Sequence, residues 1–145
     1  MKPYILEAAL TRNVAVDRPE KDWNESKGRA VVNLIGCESG EKVKAFVSVK
    51  EFNDTDYIVM ATRNGIIKRT ALSMYSRPRK GGIYAIEVRE EDELIQAKIS
   101  NGAQNIILAT YLGKSIRFSE KNIRATGRKT MGVKGITLGS SKDKV

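Results

Sequence analysis

The amino-acid sequence predicts an all-β protein made of repeated four-stranded antiparallel units that together form an incomplete ring. Three observations support this fold class. Short motifs return at intervals of about 50 residues. The segments between them are rich in Val, Ile, Thr and aromatic residues, which favour strands, and glycine-containing turns separate the segments. With 145 residues, the chain has room for one domain with its own hydrophobic core.

The clearest repeat surrounds a glycine turn. Residues 61–69 read ATRNGIIKR and return at 109–117 as ATYLGKSIR, an offset of 48 residues. A weaker copy, LTRNVAVDR, lies at 10–18, an offset of 51. A second landmark that begins with glycine has a similar period, and independent landmarks with one period indicate structural repeats. This second landmark lies at 28–34, 82–88 and 132–138.

The landmarks divide the chain into units. Four short strands are expected in each, which is typical of a propeller blade. In the first full unit (28–81) they are Ala30–Ile35, Val43–Val49, Tyr57–Thr62 and Ile66–Thr70, and in the second (82–131) Ile83–Val88, Leu94–Ile99, Ile106–Thr110 and Ser115–Phe118. Residues 1–26 are expected to hold the end strands of a preceding blade (Ile5–Thr11 and Val14–Val16), and 132–145 the start of a following one.

About two and a half blades do not make a ring, since propellers close with 4–8. The sequence therefore predicts open blade edges, and an open edge is available to pair with a second copy of the chain. Turns inside the blades are also indicated. Asn64-Gly65 favours a type I′ hairpin turn, Leu112-Gly113 occupies the same place in the next unit, and Ser100–Gly102 marks another tight connection.

The charge distribution indicates an anionic partner. Lys and Arg number 26 against 17 Asp and Glu, which leaves a net charge of +9 and a pI near 9.7. The excess lies in two basic blocks, 61–82 and 109–135, on either side of an acidic stretch at 83–108. The candidate phosphate-binding residues in these blocks are Arg63, Lys68, Arg69, Arg77, Arg79, Lys80, Lys114, Arg117, Arg124, Arg128, Lys129 and Lys134.

Several function classes are excluded by residues that are missing. The chain has one cysteine, Cys37, and no histidine, so an internal disulfide, the usual zinc sites and Ser-His or Cys-His nucleophile pairs are ruled out. We therefore expect no catalytic residue, no metal and no cofactor in this chain. No apolar run reaches the roughly 18 residues of a membrane span, and residues 1–7 do not resemble a signal peptide. A cytoplasmic protein without a membrane partner is expected.

Long stretches of the chain resemble one known family. The segments Lys27–Leu34, Ile58–Thr70, Leu72–Gly82, Ile116–Glu120 and Arg124–Ile136 together resemble the C-terminal DNA-wrapping domain of the bacterial DNA gyrase A subunit. The topoisomerase IV counterpart is less similar. The resemblance covers residues 27–145, whereas residues 1–26 match poorly. In addition, Arg77–Gly82 only echoes the glycine-rich basic loop that is the family's hallmark.

The resemblance implies a fold and a function. In that family the blades form a β-pinwheel, a propeller-like disc whose basic rim bends duplex DNA without reading its sequence. The implied partners are duplex DNA, the gyrase B subunit, and the rest of the gyrase A subunit; the implied location is the nucleoid. The parent would be an ATP-dependent type II topoisomerase that supercoils DNA. No tyrosine of this chain lies in the context of the family's DNA-attacking tyrosine, so no nucleophile is assigned.

Other functions remain compatible with the residues alone. The strongest alternative is a protein-interaction propeller whose basic loops dock an acidic partner. RNA binding by the same surface is a second alternative, and an enzyme that uses only lysines and carboxylates is a third. Base stacking by Trp23, Tyr75 or Phe118 is less consistent with the sequence than core packing, because these aromatics are not interleaved with the basic residues.

Overall fold

The computed structural model describes residues 43–45, 47–49, 51–77 and 83–145, and every structural statement below refers to these residues. The strands expected at Ile5–Thr11, Val14–Val16 and Ala30–Ile35 lie outside them, as do Trp23 and Cys37. The described elements are β1 (Tyr57–Thr62), β2 (Ile66–Ala71), a first 3₁₀ helix (Leu72–Tyr75), β3 (Leu94–Ser100), β4 (Asn105–Ala109), β5 (Ser115–Ser119), a second 3₁₀ helix (Glu120–Asn122) and β6 (Val133–Lys134).

The strands form antiparallel sheets, which confirms the predicted all-β class. The β1–β2 hairpin lies in the middle of a four-stranded sheet with the order β3-β1-β2-β6, and the β4–β5 hairpin forms a separate two-stranded sheet. None of the helices in the described ranges has the length and apolar character needed to cross a lipid bilayer.

The four-stranded sheet takes strands from more than one sequence unit. The sequence analysis assigned Leu94–Ile99 to the second unit, and the structure pairs this strand, β3, with β1 of the first unit, with Val59 opposite Lys98. The β6 strand, from the start of the third unit, pairs with β2 through Ile67 and Val133. Burial explains the exchange, because β3 places Leu94 and other apolar residues in the hydrophobic cluster that β1 also lines.

Two of the expected strands are not formed in the described residues. Residues Ile83–Val88 form no strand; instead, the Glu87 N–H donates to the carbonyl oxygen of Thr130 at 3.1 Å. Ala85 and Ile86 are both buried, which breaks the one-in, one-out alternation of a half-buried strand. The described residues of Val43–Val49 are likewise not in a strand.

Two apolar clusters lie on the two faces of the four-stranded sheet. Alternation along β1 directs Ile58 and Met60, both fully buried, to the first cluster, and Val59 to the second. Tyr75 is buried in the first cluster and Phe118 packs against the second, so both aromatics serve in the core, as expected. The β4–β5 hairpin therefore packs over one face of the sheet through the second cluster.

The hairpin turns differ in type from the expectation. Gly65 has a φ of +82°, and its N–H donates to the Thr62 carbonyl at 3.1 Å. No non-glycine residue in the described ranges has a positive φ, so Asn64 does not adopt the type I′ conformation. The loop has three residues, with the glycine in the left-handed position at its end. Gly113 repeats this geometry in the next hairpin, with a φ of +86°.

Each hairpin turn is held by an aspartate from the following unit. The Asn64 N–H donates to Oδ1 of Asp92 at 2.9 Å, and the Leu112 N–H donates to Oδ1 of Asp143 at 3.0 Å. The neighbouring backbone bonds repeat as well, from Arg63 N–H to the Glu93 carbonyl and from Tyr111 N–H to the Lys144 carbonyl. The sequence repeat is thus a repeat of hydrogen bonds, and it extends to Asp143-Lys144, beyond the landmarks that the sequence revealed.

The Asp143 contact predicts a pH dependence. The Gly139 amide, with those of Leu112 and Lys144, holds the pKa of Asp143 below its ordinary value of 3.8, against the opposing effect of burial. Because the folded pKa is the lower one, the contact stabilises the turn above pH 4 and is lost as pH falls through the folded pKa. We expect opening at the Leu112 amide, measured by hydrogen exchange corrected for intrinsic rates, to become more frequent below pH 4. Asp143→Asn should remove this transition; the same acceleration in both proteins would contradict the prediction.

Candidate nucleic-acid interface

The structure describes ten of the twelve candidate phosphate-binding residues. Arg79 and Lys80 lie outside the described residues. Three of the ten, Arg63, Arg69 and Arg128, are half-buried, and Lys68 is buried. The other six have exposed side chains and can reach a partner in solvent: Arg77, Lys114, Arg117, Arg124, Lys129 and Lys134.

The segment Arg124–Thr130, which we call the basic loop, has a backbone fixed against two neighbouring segments. The Thr126 N–H donates to the Arg69 carbonyl of β2 at 2.9 Å, and Ala125 forms a bridge with Arg69. Inside the loop, the Thr130 hydroxyl donates to the Gly127 carbonyl at 2.9 Å. The loop therefore presents its exposed cations, Arg124 and Lys129, from an ordered backbone.

Arg69 lies where the basic loop meets the sheet. Its Cζ atom lies 4.5 Å from the centroid of the Tyr57 ring, a cation–π contact that orients the guanidinium. Its Nε is buried and has no hydrogen-bond partner among the described atoms. Lys98 lies in the same cross-strand row, because Val59 is opposite both Arg69 and Lys98. The structure thus places Arg69 beside the basic loop, while Lys98 lies two strands away from Arg69 on the same face of the sheet.

Lys68 corrects one sequence expectation. Its side chain is fully buried, and its Nζ donates to the carbonyl oxygens of Ala85 at 2.8 Å and Arg128 at 2.6 Å. A buried ammonium that is held by two carbonyls cannot reach a DNA phosphate. The Lys68-Arg69 pair in the sequence suggested two surface cations, but consecutive residues in a strand point to opposite faces, and Lys68 points into the core.

Arg63 is exposed in part but already paired. Its guanidinium donates to Oε1 of Glu93 at 3.3 Å and to the Glu91 carbonyl at 2.9 Å. Glu93 also forms an ion pair with Lys44. The Arg63 side chain is 41% exposed, and ion pairs of this kind contribute only about 0–1 kcal/mol. Arg63 remains a candidate because a phosphate can compete with such a pair.

The remaining exposed candidates lie on other elements. Lys114 and Arg117 belong to the β4–β5 hairpin, where Arg117 is opposite Ile107 on an exposed face. Lys134 lies on β6, opposite Ile66, and Arg77 follows the first 3₁₀ helix. In the described ranges, no three His, Cys, Asp or Glu residues are arranged to hold a metal ion.

Lys98 and Lys144 are two exposed cations that were not among the candidates. Lys98 is exposed on β3, but it lies inside the stretch that was treated as acidic. The alternation of β3 could have identified it, because Ala97 is buried and its neighbour must face outward. Lys144 is also exposed, and its Nζ lies 5.4 Å from the centroid of the Tyr111 ring. Lys129 makes a similar but longer contact with Tyr84, at 6.0 Å.

Comparison with known families and proteins gives a consistent result. Residues 56–101 and 104–145 match the model of the DNA gyrase C-terminal domain, described as a β-propeller. The chain is 45% identical over 110 residues to the DNA gyrase A subunit of Clostridium acetobutylicum, and 40% identical over 118 residues to that of Haemophilus influenzae. These matches cover 76% and 81% of this chain but only 13% of each relative.

Solved structures show a similar fold. The C-terminal domain of DNA topoisomerase IV superposes with a TM-score of 0.73 at 25% identity, over 81% of this chain and 36% of that one. The DNA gyrase A C-terminal domain gives a TM-score of 0.68 at 24% identity, over 83% of this chain and 40% of that one. The sheet arrangement described above is therefore that of these C-terminal domains.

Proposed function

This chain belongs to the DNA gyrase C-terminal domain family, and on that premise we propose that it binds duplex DNA and bends it without reading base sequence. The observation that carries the proposal is the basic loop, whose exposed Arg124 and Lys129 extend from a hydrogen-bonded backbone beside Arg69. Side chains of this kind contact phosphates, which are the same at every base pair. The net charge of +9 supports an anionic partner.

The proposed mechanism is neutralisation of phosphates along the surface of successive blades. Each phosphate that a lysine or arginine neutralises releases condensed counterions, so affinity falls steeply as salt rises. Smooth bending of a duplex costs about 1–6 kcal/mol over roughly 20–30 base pairs. Several contacts must offset that cost, and the repeated hairpins provide places for them. We propose Arg69, Arg77, Lys114, Arg117, Arg124, Arg128, Lys129 and Lys134 as contacts, with Arg63, Arg79 and Lys80.

The wider role follows from the same family. We propose that the chain acts within a type II topoisomerase, where its partners are the gyrase B subunit and the rest of the gyrase A subunit. Wrapped DNA would then contribute to supercoiling by the whole enzyme, in the cytoplasm and on the nucleoid. The chain itself supplies the surface on which the duplex bends.

A charge-removal experiment tests DNA binding. In Arg124→Ala/Lys129→Ala we expect the slope of log affinity against log salt to become shallower by about 2, because two phosphate contacts are lost. At low salt the affinity for a mixed-sequence duplex should fall by about tenfold. Filter binding over a salt series measures both quantities. Lys121→Ala/Lys142→Ala removes the same charge from two other exposed positions and serves as the matched control.

The outcomes separate the alternatives. If the unaltered chain does not retain duplex DNA at low salt, the proposal is wrong and docking of an acidic protein is favoured. Equal losses in the two double variants would show that net charge, rather than the basic loop, governs binding. A stronger preference for A-form RNA duplex than for B-form DNA would assign the surface to RNA.

A further inference from the structure

Lys68 occupies a position in β2 where an apolar residue would be expected. Its strand neighbour on the same face, Thr70, is buried, and the adjacent strand β1 contributes the buried Ile58 and Met60 to this face. Burying an ammonium is costly unless the charge is hydrogen-bonded. Here Nζ donates hydrogen bonds to two backbone carbonyl oxygens, at 2.8 and 2.6 Å. Such a costly group in a core indicates a role that an apolar side chain cannot perform.

The two carbonyls belong to different segments of the chain. Ala85 lies in the segment that begins at Ile83. Its carbonyl also accepts a hydrogen bond from the Tyr75 hydroxyl at 3.3 Å. Arg128 lies in the middle of the basic loop. Lys68 therefore ties β2 to both segments, and the Glu87–Thr130 backbone bond at 3.1 Å joins those two segments to each other.

The chain just after the basic loop, at Gly132, approaches β2 at the same point. A Cβ atom on Gly132 would lie 2.9 Å from the Lys68 Cβ and 2.5 Å from the Ile67 carbonyl oxygen. Only a residue without a side chain fits there, since φ is also +102°. This close approach and the Lys68 bonds are independent observations, and both fix the basic loop against β2.

We propose that Lys68 is a positioning residue for nucleic-acid binding: its two hydrogen bonds hold the basic loop in the conformation that presents Arg124 and Lys129 to phosphates. The claim about DNA binding rests on the proposed function, whereas the anchoring of the basic loop by Lys68 can be measured without DNA. Lys68 itself contacts no phosphate. It acts through Arg128, whose carbonyl it binds.

Protonation of Lys68 gives the proposal a distinctive signature. Burial, reinforced by the Arg128 guanidinium and opposed by Glu87, lowers the pKa of Lys68 from 10.5 to about 8. Opening of the loop hydrates Lys68 and returns its pKa towards 10.5, so the open state binds more protons between these values. Opening should therefore become more frequent, by about tenfold, as pH falls from 9.5 to 7. Burial raises the pKa of Tyr75 to about 12, so this phenol stays neutral throughout.

Both protonation states of Lys68 can hold the closed loop, so loss of the proton does not break the anchor. A neutral amine keeps two N–H groups, enough for the carbonyls of Ala85 and Arg128. Closing of the loop releases a proton from Lys68, and this release becomes more favourable as pH rises. Opening of the loop is therefore expected to become rarer, by about tenfold, between pH 7 and 9.5.

The test compares Lys68→Met and Lys68→Arg with the unaltered full chain. Lys68→Met keeps the length of the side chain but removes both donors, so exchange of the loop amides should accelerate about tenfold. Its affinity for a mixed-sequence duplex should fall about fivefold more than in Lys121→Met, which removes one exposed charge. Lys68→Arg keeps donors and charge and should recover most of both properties. Its loop exchange, corrected for intrinsic rates, should show no change with pH between 7 and 9.5.

Each result supports the proposal or overturns it. A folded Lys68→Met with unchanged loop exchange would overturn it, as would DNA affinity equal to that of Lys121→Met. If Lys68→Met does not fold, the pH profile of the unaltered chain tests the proposal. A frequency of loop opening that does not change between pH 7 and 9.5 would contradict anchoring by Lys68. If the unaltered chain binds no duplex DNA, the proposed function fails, while loop exchange still decides whether Lys68 is the anchor.

Discussion

Gly132→Ala is expected to lower the free energy of unfolding by about 3 kcal/mol and the melting temperature by about 10 °C. Two costs combine. The φ of +102° disfavours any residue with a Cβ, and the new methyl group would lie 2.5 Å from the Ile67 carbonyl oxygen. That oxygen belongs to the backbone of β2, so it cannot move without disturbing the four-stranded sheet.

Gly127, in the basic loop five residues before Gly132, offers a matched control. A Cβ on Gly127 would meet no atom within 4 Å, and its φ lies outside the left-handed region. Gly127→Ala should therefore change the stability by less than about 0.5 kcal/mol. Thermal unfolding followed by circular dichroism measures both variants. Equal stability of the two variants would contradict the close approach of Gly132 to β2.

Glu120→Ala is expected to lower the free energy of unfolding by about 3 kcal/mol. Glu120 is fully buried at the start of the second 3₁₀ helix. Its Oε1 accepts the Gln104 N–H at 2.6 Å, and its Oε2 accepts the Ser100 hydroxyl. Alanine leaves both donors without their partner, and hydrogen bonds to a charged group contribute about 1.5–3 kcal/mol each. The connection between β3 and β4 should loosen.

Glu120→Gln tests the contribution of the Glu120 charge separately from that of the side chain's shape. Glutamine fills the same space and keeps one acceptor oxygen, so we expect a loss of about half that of Glu120→Ala. Urea unfolding gives both free energies, and amide exchange at Gln104 reports the local effect. A larger loss for glutamine than for alanine would mean that Glu120 is not held by these two donors.

The repeat made much of the fold predictable from the sequence. The strands at Tyr57–Thr62 and Ile66–Thr70 agree with β1 and β2 to within one residue, because period-two burial and the Gly65 turn are both local signals. The pairing of β3 with β1 was not predictable in this way. The pairing depends on how the apolar faces of distant strands pack together, and several pairings of similar strands satisfy the same alternating pattern.

The candidate site was predictable in composition but not in detail. Counting charges located the exposed Arg124 and Lys129, but it could not distinguish Lys68 from Arg69, since burial depends on the face of a strand. The same count passed over Lys98, whose acidic neighbours in sequence are not its neighbours across the sheet. Sequence reasoning thus identified a basic surface, while the assignment of each side chain required the strand register.

The sharing of strands between units also affects synthesis. The β1–β2 hairpin ends at Ala71, but the last strand of its sheet, β6, ends at Lys134. Ribosomes add about 5–20 residues per second, so the nascent hairpin waits for several seconds with its outer edge unpaired. During translation, neighbouring chains on one polysome could exchange strands at that edge, and a chaperone that shields it would raise the yield of correctly folded protein.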